Sequence, residues 1–258
     1  RMVMVMGTST CHMVLGEKQA NVEGMCGVVE DGILPGLFGY EAGQSGVGDI
    51  FAWFVDNLVP AEYFEIAERE GLDVHQVLER EAAKLAPGQS GLVALDWVNG
   101  NRSILVDVDL SGLILGATMA TKAHEVYRAL IEATAFGTRR IIESFEASGV
   151  PIKDIVACGG LPDKNKLLMQ IYADITRREF SVAASSQAPA LGSSMWAAVA
   201  AGAAFGGHDT REDAVQKMPL LRYAHYVPDP APAAVSDELS AEYELLHDYF
   251  GRGTNDVK

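Results

Sequence analysis

Three stretches of this 258-residue chain place backbone donors and polar side chains where they could hold a charged ligand. The first is Gly7-Thr8-Ser9-Thr10-Cys11-His12, a glycine followed by three hydroxyl residues, set between two apolar runs. Such a loop offers N–H groups and rotatable hydroxyls, which can follow negative charge as it moves on a terminal phosphate. An ordinary hairpin turn favours the same residue types. The second, 41–49, reads as a glycine-rich loop entering a helix. Gly43, Gly46 and Gly48 put bare backbone at that helix's N-terminus. The third, 155–175, runs from an apolar stretch at 155–158 through Gly159-Gly160 and the turn Leu161-Pro162-Asp163. Leu167, Leu168, Ile171, Tyr172 and Ile175 then recur at helical spacing. A strand that turns through paired glycines into a helix brings backbone close to a ligand and aims helix N–H groups at it. That geometry favours phosphate or another electron-rich group, although a βα turn serving only topology reads the same way. Asp96, Asn99, Asn101 and Arg102 crowd the end of an apolar run at 91–95, a composition shared by clefts and by tight turns.

The elements that must position these stretches follow from periodicity. Apolar runs predict strands at 2–6, 13–15, 25–29, 91–95, 112–116, 155–158 and 180–183, the 155–158 run reading as buried on both faces. Ile50, Phe51, Phe54 and Leu58 form one helical face. Residues 61–86 alternate in charge and read as a surface hairpin of helices, with His75 exposed and Pro87-Gly88 as the stop. Thr121 caps a long helix in which Ala123, Tyr127, Leu130, Thr134, Gly137, Ile141 and Phe145 step by three and four, a core stripe. A helix built from Ala, Gly and Ser, with Met195, Trp196 and Val199, starts near Gln187 with Pro189 in its first turn and runs to Gly202. Its small residues would let it approach a sheet or a ligand closely. Residues 219–232 read as an extended, proline-bearing tail, and 237–249 as a charged amphipathic helix.

Bulk composition narrows the function. Thirty-five Asp and Glu against 20 Lys and Arg give a net charge of −15, which argues against a nucleic-acid surface. It leaves a nucleotide open, because a local cluster of backbone N–H groups binds phosphate in an acidic surround. Cys11, Cys26 and Cys158 are odd in number and lack metal-ligand spacing, so each is expected to be a small buried thiol in a reducing cytoplasm. No apolar run approaches the roughly 20 residues a membrane span needs, and no secretory signal is visible, so no membrane partner is expected. The chain opens at Arg1, inside the apolar run Met2–Met6, as a piece of a longer chain would.

Taken together, these stretches resemble the carboxy-terminal half of the FGGY carbohydrate kinases, and within them the ribulokinases. The resemblance is carried by MGTSTCHM at 6–13, PGLFGYEAGQSGVGDIFAWF at 35–54, LDWVNGNR at 95–102, LIEATAFGTRRIIE at 130–143, GGLPDKNKLLMQ at 159–170 and APALGSSMWAAVAAG at 188–202. It runs in order over nearly the whole chain, and is least distinctive at 61–86 and after 203. GTSTC, EAGQS and LDWxNG together point to ribulokinases rather than glycerol or xylulose kinases.

The resemblance implies an α/β, actin-like, ribonuclease H-like ATPase domain over 1–258, with a helical insertion at 61–86 and a tail at 219–258. Its mixed sheet of about five strands would be flanked by helices. ATP with Mg²⁺ is the implied cofactor, and a ribulose-type sugar, on the route of L-arabinose breakdown, the implied substrate. Gly7 and Thr8 match the loop facing the γ-phosphate, Gly48 a glycine near the phosphates, and Gly159 and Gly160 the adenosine motif. Asn165 matches that motif's asparagine after a one-residue shift. Ala52 stands where glycerol kinases carry a glutamine. The family's catalytic aspartate lies upstream of the GTST loop, as do its Mg²⁺-associated aspartate and most sugar contacts, so no catalytic or metal residue is assigned here. Asp49 and Asp96 have nothing in their setting to recommend them as the base. The resemblance therefore implies the nucleotide-binding half of a ribulokinase that is inactive alone, with self-association into a homo-oligomer expected. The same pattern would serve a kinase for another pentose or polyol, or a non-catalytic nucleotide-binding module.

Overall fold

A computed structural model describes residues 1–183, 185, 187–218 and 223–253. In chain order its elements are β1 (Met2–Met6), β2 (Thr10–Gly16), β3 (Gly27–Glu30), β4 (Phe38–Gln44), α1 (Gly48–Leu58), α2 (Ala61–Glu70), α3 (Val74–Ala82), β5 (Val93–Leu95) and β6 (Leu113–Leu115). There follow α4 (Ala123–Ala147), β7 (Ile155–Cys158), α5 (Gly160–Lys164), α6 (Lys166–Thr176), β8 (Phe180–Ala183), α7 (Ala188–Ala201), α8 (Arg211–Lys217), β9 (Tyr223–Tyr226) and α9 (Pro230–Gly251).

Seven strands form one mixed sheet in the order β3-β4-β2-β1-β7-β8-β9, rather than about five, and β5 pairs with β6 apart from it. Two differences account for the larger sheet. The stretch 38–44, with its alternating Gly, Ala and polar residues, is a strand that pairs with both β2 and β3, not part of a glycine loop. The tail contributes β9, which adds antiparallel to β8. The rest of the tail divides between α9 and residues 219–222 and 254–258, which lie outside the described residues.

Strands β1, β7 and β8 run parallel, while β2, β4 and β3 meander antiparallel from β1. Alternation in β1 sends Met2, Met4 and Met6 to a fully buried face, with Val14, Tyr40 and Ala42 beside them. Helix α4 covers that face, and from Tyr127 to Thr138 every one of its residues is buried. The predicted stripe is core, but the burial extends all round the helix because α1, α3, α6, α9 and β5 surround it. Arg128 inside this stretch is tolerable because it is ion-paired and hydrogen-bonded. Its Nε donates to Glu132 at 2.7 Å, and its Nη1 donates to the carbonyls of Ala82 and Leu85, closing the end of α3.

Three local expectations change. Cys158 is buried, but Cys11 is half-buried and Cys26 exposed, the latter accepting from Arg102 Nε at 3.2 Å. His75 is half-buried, its Nδ1 3.3 Å from the Tyr127 hydroxyl. Helix α7 has no buried residue and packs on α8, so its small residues do not bring it onto the sheet.

Candidate functional site

Strand β1 ends at Met6 in the middle of the sheet, beside the end of β7, with Val5 opposite Cys158. The carboxyl ends of parallel strands, where the chain turns away in opposite directions, are where α/β sheets hold ligands. The hairpin tip after β1 is residues 7–9, because β2 already begins at Thr10, and the Gly7 N–H closes it by donating to the Ser9 carbonyl at 2.9 Å. Helix α1 then folds back onto this tip. The Val47 and Asp49 N–H groups donate to the Thr8 carbonyl at 2.8 and 3.2 Å, and the Gly48 N–H donates to the Gly7 carbonyl at 3.0 Å. The opening N–H groups of α1 are therefore spent on the hairpin, not left for a ligand as the sequence suggested. Those left over belong to the tip itself. Among the described residues, neither the amide nor the hydroxyl of Thr8 or Ser9 has a hydrogen-bond partner.

The glycines at this end are of two kinds. A Cβ on Gly48 would stand 2.6 Å from the Gly7 carbonyl oxygen, and one on Gly159 2.3 Å from the Met6 carbonyl oxygen. Gly159 also holds φ at 104°, open to glycine and costly for other residues. These two let α1 and the β7–α5 turn press against the end of β1 from either side. Gly7 and Gly160 face open space: a Cβ on Gly7 meets only the Ser9 carbonyl at 3.9 Å, and one on Gly160 meets nothing within 4 Å. Bare backbone at these two positions is available to something outside the fold.

Gly7, Thr8, Gly48 and Gly159 are thus brought together around the end of β1, with Gly160 next to them. Asn165 sits one turn further on, 7% exposed, as the N-cap of α6. Its Oδ1 accepts from the Leu168 N–H at 2.7 Å; the Tyr127 hydroxyl lies 3.3 Å from His75 Nδ1. Burial, with the Glu79 and Asp73 charges, keeps that hydroxyl protonated far above the ordinary range. Helix α3 braces the same turn, since Glu79 Oε1 accepts from the Leu167 N–H at 3.2 Å. His75, Glu79 and Tyr127 escaped sequence reasoning because each lies on a helix whose charge pattern reads as an ordinary solvated or core face.

Behind the hairpin lies a second feature, a buried polar seam between the sheet and α4. Gln44, 4% exposed, donates through Nε2 to Asp96 Oδ2 at 2.8 Å and to the Thr134 carbonyl at 2.8 Å. Its Oε1 accepts from the Thr138 hydroxyl at 2.9 Å. That hydroxyl lies 3.2 Å from His12 Nε2, so His12 is the donor there and carries its proton on Nε2. At the other end the Tyr243 hydroxyl of α9 donates to Asp96 Oδ1 at 3.0 Å. Burial lifts the Asp96 carboxyl to about 6, while burial and the Arg102 charge push His12 down to about 3. Gly137 makes room, since a Cβ there would lie 2.7 Å from both Asp96 Oδ2 and Gln44 Nε2. The EAGQS, LDWxNG and AFGTRR motifs therefore meet in side-chain packing. Asp96 and Asn101 belong to this interior rather than to an open cleft, Asn101 holding the Leu105 N–H at 3.0 Å. Arg102 lies over Gly43 and forms an ion pair with Glu41.

With the geometry in place, comparison with known proteins is informative. Residues 2–201 match the C-terminal domain of the FGGY family of carbohydrate kinases. The ribulokinase of Anoxybacillus flavithermus is 60% identical over 257 residues and that of Geobacillus thermodenitrificans 61%; each alignment takes in 100% of this chain and 46% of the relative. The chain thus spans about half the length of the curated relatives it matches. Among solved structures, the xylulose kinase of Rhodospirillum rubrum superposes with a TM-score of 0.77 at 24% identity, over 95% of this chain and 46% of that one. Plasmodium falciparum glycerol kinase, solved with ADP, gives 0.74 at 18% identity, over 99% of this chain and 47% of that one. These superpositions establish the shared fold.

Proposed function

Because this chain belongs to the FGGY family of carbohydrate kinases, we propose that it is the nucleotide-binding half of an ATP-dependent ribulokinase, which converts ribulose to ribulose 5-phosphate. The observation that carries this reading is the end of β1. There Gly48 and Gly159 draw two further backbone segments against the hairpin tip, leaving Thr8, Ser9 and Gly160 facing outward. The 60% identity to ribulokinases supports the choice of sugar. In domain terms, 1–258 is one nucleotide-binding domain, with α2 and α3 as its insertion and 219–258 as its tail.

In this reading the unpartnered N–H and hydroxyl groups of Thr8 and Ser9 hold the terminal phosphate, and they stay with its charge as the phosphoryl group moves in line to the sugar. The bare backbone of Gly160 lets the adenosine approach the β7–α5 turn, and Asn165 and Glu79 keep that turn in shape through the α6 amides. Mg²⁺ would neutralise phosphate charge. Among the described residues no group of three or more His, Cys, Asp or Glu is placed together as metal ligands. In this reading the proton acceptor for the sugar hydroxyl comes from outside this chain. Asp49 is exposed at the start of α1, and Asp96 is buried between Gln44 and Tyr243. The rest of the longer enzyme supplies that base, and this chain binds nucleotide without useful turnover.

The test is a calorimetric titration of Mg-ADP into the chain and into Gly160→Arg, whose side chain projects into open space and leaves the fold intact. Binding by the chain that the variant loses, with unchanged circular dichroism, is the expected result. Binding that survives the substitution would put the nucleotide elsewhere and overturn the assignment.

A further inference from the structure

Among the described residues, the hairpin tip at the open end of β1 accepts backbone hydrogen bonds from one other segment, 47–49, which follows Gln44 after Ser45 and Gly46. Gln44 is the last residue of β4 and pairs with Thr10, the first residue after the hairpin tip. Its backbone thus pairs with one end of the hairpin and leads through two residues into the clamp, while its side chain is hydrogen-bonded in the buried seam. There the amide has little freedom. Both N–H bonds and the oxygen are used, and turning the amide over would set its NH₂ against the Thr138 hydroxyl proton and its oxygen against the Asp96 carboxylate. Asp96 is fixed in turn by Tyr243 of α9, far away in sequence.

We propose that Gln44 is a positioning residue that holds the 7–9 hairpin and the 47–49 clamp in ligand-ready shape, with Asp96 and Tyr243 fixing Gln44, so that the C-terminal helix α9 governs the order of the phosphate-facing loop. The proposal rests on the nucleotide reading above for the word ligand, but the ordering of the loop is measurable without one. No atom of Gln44, Asp96 or Tyr243 need touch the nucleotide. Their effect passes through the Thr10–Gln44 pairing and the bonds from Val47, Gly48 and Asp49 to the tip. Buried networks rigidify what they are attached to, and here the Gln44 amide, both Asp96 oxygens and the Tyr243 hydroxyl are all engaged.

The experiment follows amide hydrogen exchange at the hydrogen-bonded amides of Gly7, Val47, Gly48 and Asp49, together with Mg-ADP titration, in the full chain and three variants. Gln44→Met removes the amide and keeps the volume. Tyr243→Phe removes one hydroxyl at the far end of the relay. Ile175→Val, a core change away from the seam, controls for a general loss of stability. The loss of two or three hydrogen bonds corresponds to about tenfold faster exchange at these four amides in Gln44→Met, and the loss of one to about threefold in Tyr243→Phe. Ile175→Val should leave them at the parent's rate relative to the rest of the chain, and Mg-ADP affinity should fall by similar factors in the first two variants only. Exchange at Gly7 and 47–49 that matches the Ile175→Val control in both seam variants would overturn the proposal. Should Gln44→Met not fold, Tyr243→Phe decides alone by the same criterion. Selective loosening of the loop in chains that never bind Mg-ADP would sustain the positioning role and overturn the nucleotide reading.

Discussion

The open end of β1 and the buried seam behind it both hold the residues that identify the family, yet they are built on opposite principles. At the open end the important groups are backbone, and side chains are kept out. Gly48 and Gly159 have carbonyl oxygens where a Cβ would be, while Gly7 and Gly160 look into open space. In the seam most of the bonding is carried by side chains. Gln44, Asp96, Thr138 and His12 are each buried and bonded, and Gly137 is the one backbone position that yields space to them. A motif therefore does not by itself mark a contact with ligand. GGLPDKN places backbone at the site's surface, whereas EAGQS and LDWxNG place side chains in the wall that keeps that surface in shape.

The comparison breaks most visibly at adjacent glycines. Gly159→Ala must move a Cβ that starts 2.3 Å from the Met6 carbonyl oxygen, at a φ of 104° that alanine avoids. Neither neighbour is a flexible side-chain tip, so a loss of about 4 kcal/mol or more is expected, enough to cut the soluble yield or shift the urea midpoint sharply. Gly160→Ala adds the same methyl group to open space and should leave stability within about 0.5 kcal/mol. Equal urea midpoints for the two variants would mean that the β7–α5 turn is not pressed against β1.

The sequence made the open end legible because its signals are local. A strand, two glycines and a helix start are adjacent in GGLPDKN, and a hairpin is adjacent in GTST. The seam could not be read that way. Gln44, Asp96, Thr138 and Tyr243 lie on β4, beyond β5, on α4 and on α9, and only the folded chain brings them together. Strand β4 was missed for a related reason. Its alternation of Tyr40, Ala42 and Gln44 on the buried face is interrupted by glycines on the other, so the stretch reads as a loop until its two partner strands are in place. His75 and Glu79 show the same limit at the turn into α6, since a charged helix reads as a solvated face until the turn it braces is built beside it.

The seam can be sharpened by pH. Asp96, lifted to about 6 from 3.8, binds its proton more tightly in the folded chain, so its contribution to stability falls as pH rises through that window. His12, lowered to about 3 from 6.5, binds its proton more tightly in the unfolded chain, so its contribution is lost as pH falls through 6.5 toward 3. Between about pH 4 and 6 the two slopes oppose each other and nearly cancel. Asp96→Asn removes one of them. Relative to that variant the parent should gain about 1.4 kcal/mol for each unit of pH decrease across the window, about 3 kcal/mol in all. Urea unfolding of both chains from pH 4 to 7 measures it, and parallel curves would show that Asp96 does not titrate as a desolvated carboxyl.

A smaller effect probes how tightly the seam is filled. Gly137 lies in the interior of α4, where alanine normally improves a helix by about 1 kcal/mol. Here the added methyl carbon would sit 2.7 Å from Asp96 Oδ2 and 2.7 Å from Gln44 Nε2. Both atoms are side-chain tips and could in principle retreat. The Gln44 amide, however, is held by the Thr134 carbonyl and the Thr138 hydroxyl, and the carboxylate by Tyr243, so retreat lengthens at least one bond among partners that have no water to turn to. Overpacking of this kind costs about 1–3 kcal/mol, and set against the helix gain Gly137→Ala should come out about 1–2 kcal/mol less stable than the parent by urea unfolding. A variant as stable as the parent would mean that the seam has slack. A seam with slack could still bury its polar groups, but it could not transmit the position of α9 to the hairpin, and the contrast between a filled wall and an open loop would lose its mechanical meaning.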